Sequence, residues 1–351
     1  MIRLNMYGWN DRLNQLKQES AYNTLSHGRI AIVHRTCYEV VSDSGLYQCE
    51  LTGNLMYGKS DFELPCTGDW VLFQPFDDSK GIIVGMLPRE RTLYRKRNGT
   101  VAGKQAIASY VDKAFIVQSL DDNFNMRRVE RFMVQILEEN IHPVLILNKA
   151  DLPFDKQETE EAIKHLTRRM PVFFTSIHHP ETVSRLRDSI SEGETVVFVG
   201  SSGVGKSSLV NALCERSVLL TSDISQSTGK GRHTSTRREM VLMDGSGVLI
   251  DTPGIREFGL TVDNPDSLAE MLEISNYAES CRFKDCTHTN EPGCAVLEAV
   301  AEGLLDIKVY ESYLKLKREA WHFSASEHEK RKKEKSFTKL VEEVKRRKAD
   351  S

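Results

Sequence analysis

The chain has 351 residues, 40% of them hydrophobic and 28% charged, and a formal net charge of −3. That length leaves room for two or three domains with separate cores, and that balance is ordinary for a soluble globular protein. No apolar run approaches the ~18 residues of a membrane span, and Met1–Asn5 lacks a signal-peptide core, so a cytoplasmic protein with no membrane partner and reduced cysteines is expected.

Residues 1–26 form a short amphipathic entry segment. Five strand-like runs follow: Arg29–His34, Tyr38–Val41, Leu46–Leu51, Trp70–Phe76 and Gly81–Leu87. Turn residues such as Asp43-Ser44-Gly45, Pro65 with Thr67-Gly68-Asp69, and Asp77-Asp78-Ser79 separate them. Five short strands suit a small barrel, either an OB-fold or an SH3-like barrel. Arg89–Arg97 then reads as a basic, aromatic-containing linker, open to oligonucleotide contact or simply solvated. From Lys113 the runs Ala114–Val117, Val144–Leu147, Val172–Phe174, Val196–Val199 and Val248–Ile250 are apolar throughout, the pattern of buried parallel strands. Helical stretches at Met126–Glu139 and Gln157–Arg169 lie between them, so a doubly wound α/β sheet is expected. After Leu260 helices are expected at Asp266–Tyr277, Ala295–Gly303, Asp306–Glu319 and Lys335–Arg347. From Lys330 to Lys348 ten Lys and Arg face three acidic residues, which suits a polyanionic partner or a solvated helix face.

Two motifs stand in an unusual order. Gly200–Ser207 fits G-x-x-x-x-G-K-[ST], follows an apolar strand and opens the helix Lys206–Glu215. Its backbone N–H groups and the helix N-terminus can cradle a phosphate. Lys206 would reach the β- and γ-phosphates and Ser207 would ligate Mg²⁺. Asn148-Lys149-Ala150-Asp151 ends another apolar strand, and its Asp151 carboxylate can accept two hydrogen bonds from guanine, which adenine cannot offer. Most GTPases place the phosphate loop first. Here N-K-x-D comes first, then the phosphate loop, then Asp251-Thr252-Pro253-Gly254, so the core is read as circularly permuted.

The remaining parts fit a GTPase. Asp251 would face Mg²⁺, with Gly254 sensing the γ-phosphate. Thr175-Ser176-Ile177 is placed to cover the base. Ser225–Thr236, rich in Gly, Ser and Thr, is the candidate first switch. A Thr there, Thr234 or Thr236, would cap Mg²⁺. Ile255 occupies the position where a water-orienting Gln often stands, so His233 becomes the candidate for orienting water. Cys281, Cys286, His288 and Cys294 read C-x4-C-x-H-x5-C, a closed tetrahedral set for one structural Zn²⁺. Cys37, Cys49, Cys66 and Cys214 are read as small core residues.

With these motifs in this order the chain resembles the ribosome small-subunit-dependent GTPase A family over nearly its whole length. The resemblance rests on Asn148–Asp151, Gly200–Ser208, Gly231–Thr236, Asp251–Gly254 and the Cys281, Cys286, His288, Cys294 set. It implies an N-terminal OB-fold with its extension (1–105), a permuted GTPase core (106–258) and a zinc-binding helical domain with a basic tail (259–351). It implies Mg²⁺-dependent GTP hydrolysis in late maturation of the 30S subunit, stimulated by the ribosome, with 16S rRNA as partner and the chain acting as a monomer. It assigns catalysis to His233, Lys206 and Thr234. It assigns GTP contact to Asn148, Lys149, Asp151, Ser176, Gly200 through Ser208 (Ser201, Ser202, Gly203, Val204, Gly205, Lys206 and Ser207 between them) and Gly254. Mg²⁺ would be held by Ser207, Asp251 and Thr234. Three positions depart from the family's pattern: Ser235 for Thr in the switch, Tyr110 for Asn, and Ile177 for Ala. From the residues alone, two rivals stay open: a GTPase maturing another RNA or the large subunit, and a zinc RNA-binding module with a vestigial nucleotide site.

Overall fold

The computed structural model describes residues 2–57, 62–96, 104–121, 123–214, 238–251, 268–269, 272 and 274–324. The switch candidates His233, Thr234 and Thr236, together with Gly254, Ile255 and the basic tail, lie outside the described residues. Met1–Gly259 forms one compact unit and Leu260–Ser351 another.

The first unit opens with a short 3₁₀ turn, Leu4–Tyr7, and helix α1, Asp11–Glu19, whose N-cap Asn10 accepts from Leu13 N–H at 3.1 Å. All five barrel strands form: β1 Ser26–Val33, β2 Tyr38–Ser42, β3 Gly45–Leu51, β4 Trp70–Asp77 and β5 Lys80–Met86. A one-turn helix α2, Gly53–Met56, separates β3 from β4. The strand order is β1-β2-β3-β5-β4, closed by β1 against β4. β3 and β5 run parallel, from Gln48 opposite Lys80 to Leu51 opposite Ile83. Closure of five strands through this one parallel pair is the OB-fold, which settles the choice that strand count alone left open. Alternate positions fill the barrel, and Ile30, Val40, Tyr47, Cys49, Val71, Phe73 and Ile83 are all buried.

Two elements differ from the linker expected at Arg89–Arg97. Leu93–Lys96 is a strand, β6, pairing antiparallel with β7, Lys104–Ala108. Arg89 is not presented to a partner, because it grips the buried Asp69 carboxylate at 2.7 Å and caps the carbonyls of Phe62 and Leu64. The cysteines divide. Cys49 and Cys66 are buried as expected, whereas Cys37 and Cys214 are only half-buried.

The second layer of the unit is built from β8 Lys113–Ser119, α3 Met126–Glu138, β9 His142–Asn148, α4 Lys156–Ile163, β10 Val172–Thr175, α5 Pro180–Asp188, β11 Thr195–Val199, α6 Lys206–Leu213, β12 Glu239–Leu242 and β13 Val248–Asp251. The strand order β10-β9-β8-β11-β13 is parallel throughout, with β12 antiparallel beside β13. Helix α3 shows why the sequence folds this way. Asn125 caps it by accepting from Arg128 N–H at 3.2 Å, and Val129, Phe132, Met133 and Ile136 repeat at helical spacing on its buried face. Helix α4 stops at Ile163, and turns carry the chain to Arg169, where one long helix was expected.

Barrel and α/β layer are joined covalently and by hydrogen bonds. β1 pairs with β12 at Ile32 opposite Glu239. Arg29 on β1 is 1% exposed and uses all five N–H groups. Its Nε donates to Gly68 O at 2.9 Å, Nη1 to Tyr7 O at 2.5 Å and Thr195 Oγ1 at 2.8 Å, and Nη2 to Ser109 O at 3.3 Å and Tyr110 O at 3.4 Å. Burial lowers its pKa to about 10, so it stays charged at neutral pH. Arg29→Met would leave four buried carbonyls and a hydroxyl short of donors. A loss of about 2–4 kcal/mol is expected, visible in calorimetry as a clear fall in Tm. An unchanged Tm would mean that water replaces the guanidinium at no cost.

The second unit contains α7 Ser275–Ala278, α8 Ala295–Ala301 and α9 Ile307–Ser324. Val296, Ala299, Leu305, Tyr313 and Leu316 are buried in it. Of the helix expected at Asp266–Tyr277, the described residues show helical Leu268–Ala269 and the start of α7.

Candidate functional site

Parallel strands deliver all their C-terminal ends to one edge of a sheet. Gly200 follows β11, Asn148 ends β9, Thr175 ends β10 and Asp251 ends β13. Motifs far apart in sequence therefore meet along that edge.

The phosphate loop is built as the motif requires. Gly200 has φ 147° and Gly205 has φ 91°. A Cβ at Gly200 would strike Val117 O, and one at Gly205 would strike the Asn148 amide. Only glycine fits either position. Lys206 starts α6, and its Nζ donates to Gly200 O at 2.7 Å and Ser201 O at 2.6 Å. The ammonium is thus folded over the loop that would enclose a phosphate. Ser207, next on α6, is exposed at the helix N-terminus.

The N-K-x-D side, expected to read the base, is braced by hydrogen bonds. Asn148 is buried, donates from Nδ2 to Val204 O at 2.9 Å and accepts from Thr175 Oγ1 at 3.1 Å. It therefore ties the N-K-x-D turn to the phosphate loop. Ala150 N–H donates to Thr175 O at 3.0 Å. Ser176 Oγ donates to Asp151 Oδ1 at 2.5 Å. That hydrogen bond holds the Asp151 carboxyl below the usual carboxylate range. Asp151 is exposed and ionised, and it accepts from a neutral hydroxyl, that of Ser176. Sequence reasoning placed Thr175 and Ser176 in the segment covering the base, and missed that Thr175 braces Asn148.

The four zinc candidates converge in the second unit. Their ligand atoms lie within 4.8 Å of one another. Cys281 Sγ is 3.9 Å from Cys294 Sγ, and His288 Nδ1 is 3.5 Å from both sulfurs. Tetrahedral zinc with bonds of about 2.3 Å to sulfur and 2.0–2.1 Å to nitrogen demands edges of about 3.8 Å and 3.6 Å. The donor set fits the ion. Burial, followed by the Lys317 charge, lowers the His288 pKa and favours the neutral imidazole that a metal needs. Tyr310 Oη donates to His288 O at 2.7 Å and fixes that backbone. About one zinc per chain is expected on elemental analysis of protein purified without added metal. Cys286→Ser should lower that ratio and expose residues 281–294 to hydrogen exchange. Well-folded protein carrying far less than one zinc would contradict a structural ion.

Comparison with known proteins decides the family. A family model described as RsgA GTPase matches residues 86–261. The chain is 75% identical over 347 residues to the small ribosomal subunit biogenesis GTPase RsgA 1 of Bacteroides thetaiotaomicron, covering 99% of this chain and 98% of that protein. It is 41% identical over 317 residues to RsgA of Methanosarcina acetivorans, covering 89% and 84%. The chain belongs to the RsgA GTPase family. Among solved structures, YjeQ of Thermotoga maritima matches with TM-score 0.64 at 24% identity, over 84% of this chain and 98% of that one. YloQ, described as a circularly permuted GTPase, matches with TM-score 0.63 at 25% identity, over 88% and 99%. The permuted order read from the motifs is therefore the order of the RsgA fold.

One departure from the RsgA pattern now has a physical setting. Tyr110, where the resemblance led to an expected Asn, has φ 53°, in the left-handed region that Asn tolerates better than most residues. Here the ring is buried and its hydroxyl donates to Pro88 O at 2.5 Å, which holds the turn by packing.

A cavity of about 310 Å³ lies well away from the RsgA nucleotide loops, lined by Trp9, Trp70, Arg29, Glu90, Arg91 and Asp112 among others. It adjoins Thr195, at the start of β11, so the five residues of that strand put it roughly 16 Å from the phosphate loop. Several of its charges are paired, Arg12 with Glu90 at 2.8 Å and Arg91 with Asp112 at 3.1 Å. It lies between α1, barrel and sheet, away from the strand ends that carry the nucleotide motifs.

Proposed function

We propose that this chain hydrolyses GTP to GDP and phosphate in late maturation of the 30S ribosomal subunit, as a cytoplasmic monomer whose turnover the subunit stimulates. The observation that carries the reading is the shared sheet edge. The exposed Asp151 carboxylate held by Ser176, a glycine-shaped phosphate loop and the strand end bearing Asp251 stand along it, which supports guanine-nucleotide binding there. The names of the relatives, small ribosomal subunit biogenesis GTPases, favour the small subunit over the large one.

In this reading Asp151 accepts from guanine, with Asn148, Lys149 and Ser176 shaping the base loop. Lys206 leaves Gly200 O and Ser201 O for the β- and γ-phosphates, a short swing between two sets of oxygens. Ser207, Asp251 and Thr234 would hold Mg²⁺, which neutralises phosphate charge when bound. Gly254 would sense the γ-phosphate and His233 would orient water. The zinc cluster would act as a rigid knot in a domain that contacts 16S rRNA, and the basic segment Lys330–Lys348 would add phosphate neutralisation. The segment after Asp251 runs on into residues 259–351, so a nucleotide-dependent switch there is linked covalently to the zinc-binding part. The proposed domains remain 1–105, 106–258 and 259–351.

Asp151→Asn tests the base site. The amide turns an acceptor pair into one acceptor and one donor, which suits xanthine better than guanine. GTP affinity should fall about 10–100-fold, the scale of a bidentate base contact, while XTP affinity rises. Competition binding with GTP, XTP and ATP reads this out. Retained preference for GTP would remove Asp151 from the base site.

A further inference from the structure

The loop leaving β8 belongs to neither the phosphate loop nor the N-K-x-D turn, yet it touches both. Its anchor is Asp121. Oδ1 accepts from Ser119 Oγ at 2.6 Å and from Asn123 N–H at 3.0 Å. Oδ2 accepts from Lys149 Nζ at 2.8 Å. Two residues on, Asn123 Nδ2 donates to Ser202 O of the phosphate loop at 3.5 Å, and Arg128 Nη1 braces Asn123 from α3 at 3.3 Å. Leu120 N–H meanwhile donates to Asn148 O at 2.9 Å.

Lys149 needs such an anchor. Its φ is 61°, left-handed backbone that a long side chain rarely adopts. This turn ends β9 and, two residues later, presents Asp151. Whatever fixes Lys149 therefore fixes the approach of the base-reading carboxylate. The pair is about one-third exposed on each side, at 33% for Lys149 and 30% for Asp121, so its net worth to stability is small. Its two oxygens are divided between the loop's own turn and the neighbouring nucleotide loop, a division that stability alone does not require.

We propose that Asp121 is a positioning residue for guanine-nucleotide binding: it holds the Lys149 ammonium and so sets the turn that aims Asp151, while Asn123 of the same loop steadies the phosphate loop. The proposal rests on the placement of Lys149 and Asp151 at the nucleotide. Hydrogen bonds to Asp121 also keep its carboxyl below the usual range, so the pair persists in mild acid.

The test uses the full chain with fluorescent GDP and GTP and compares wild type, Asp121→Asn, Lys149→Met and the double variant. Asp121→Asn keeps size and shape but removes the charge. Its Tm should stay near wild type, and its affinity for GDP and GTP should fall about three- to fivefold, the scale of one partly exposed ion pair. In steady state the loss should fall on KM rather than kcat. Asp121→Glu should recover part of the affinity. In the Lys149→Met background, Asp121→Asn should cost nothing further, because its partner is gone. An equal loss in both backgrounds, or wild-type affinity in Asp121→Asn, would overturn the proposal. If Lys149→Met itself leaves GDP affinity unchanged, Lys149 is not at the nucleotide and the proposal falls with that placement. A loss in Asp151→Asn with none in Lys149→Met would locate the failure in Lys149 alone.

Discussion

Lys206→Ala is expected to abolish measurable GTP turnover while leaving the fold intact. In the structure the ammonium donates to two carbonyls of its own loop, Gly200 O and Ser201 O. Both bonds stay within the phosphate loop itself and tie it to no other element, so the expected cost to stability is small. In the reaction the same charge would meet phosphate oxygens whose negative charge grows toward the transition state. Removing one preorganised donor from such a site lowers kcat by about 10²–10³, and losing a full charge adds weaker GTP binding. Phosphate release under saturating GTP, with circular dichroism as the control for folding, reads both effects. Turnover near wild type in Lys206→Ala would mean that the loop Gly200–Ser207 does not bind the reacting phosphates.

What the sequence disclosed, and what it hid, follows from the range of the forces involved. The barrel strands were legible because alternation in runs such as Tyr47, Cys49 and Leu51 is local, and so are the turns at Ser44-Gly45 and Asp77-Asp78-Ser79. The parallel strands were legible because β8, β9 and β11 are buried on both faces and carry no alternation. Barrel topology was not, because β3 meets β5 across about thirty intervening residues, and no local pattern encodes that pairing. β6 was read as part of a linker because Arg89, Arg91, Arg95, Lys96 and Arg97 give that stretch the composition of a solvated segment. β12 escaped because it has four residues before the turn at Asp244-Gly245.

The site shows the same division. Motif residues were found because each chemistry fixes residue types at fixed spacing. Their supports were not, because Thr175, Asp121 and Asn123 act through contacts that only folding creates. Arg29 is the sharpest instance. An arginine at the start of a strand suggests an exposed edge. Here it is the buried tie between the barrel and the strand that feeds the phosphate loop. Tyr110 runs the other way: the departure was visible in sequence, but the left-handed backbone on which it falls was not.

His233→Ala carries the other large expected effect. Ile255 is apolar and cannot hold the attacking water, so a neighbouring group must, and the segment between the phosphate loop and β12 offers His233. Lys206 and the phosphate-loop amides act on phosphate charge and serve ground state and transition state together. Orientation of water acts on the transition state. The variant should therefore bind GTP nearly as wild type does and lose roughly 10²-fold or more of stimulated turnover, the scale of a positioned acid–base group. Intrinsic turnover should be low in both proteins, because a lone switch histidine must find the water without help from residue 255. The 30S subunit should raise the wild-type rate strongly by bringing His233 to the water, and should raise the variant's rate far less. Single-turnover hydrolysis with and without purified 30S subunits separates the two steps. A variant stimulated as fully as wild type would make His233 a bystander and leave the water to backbone groups or to the ribosome itself.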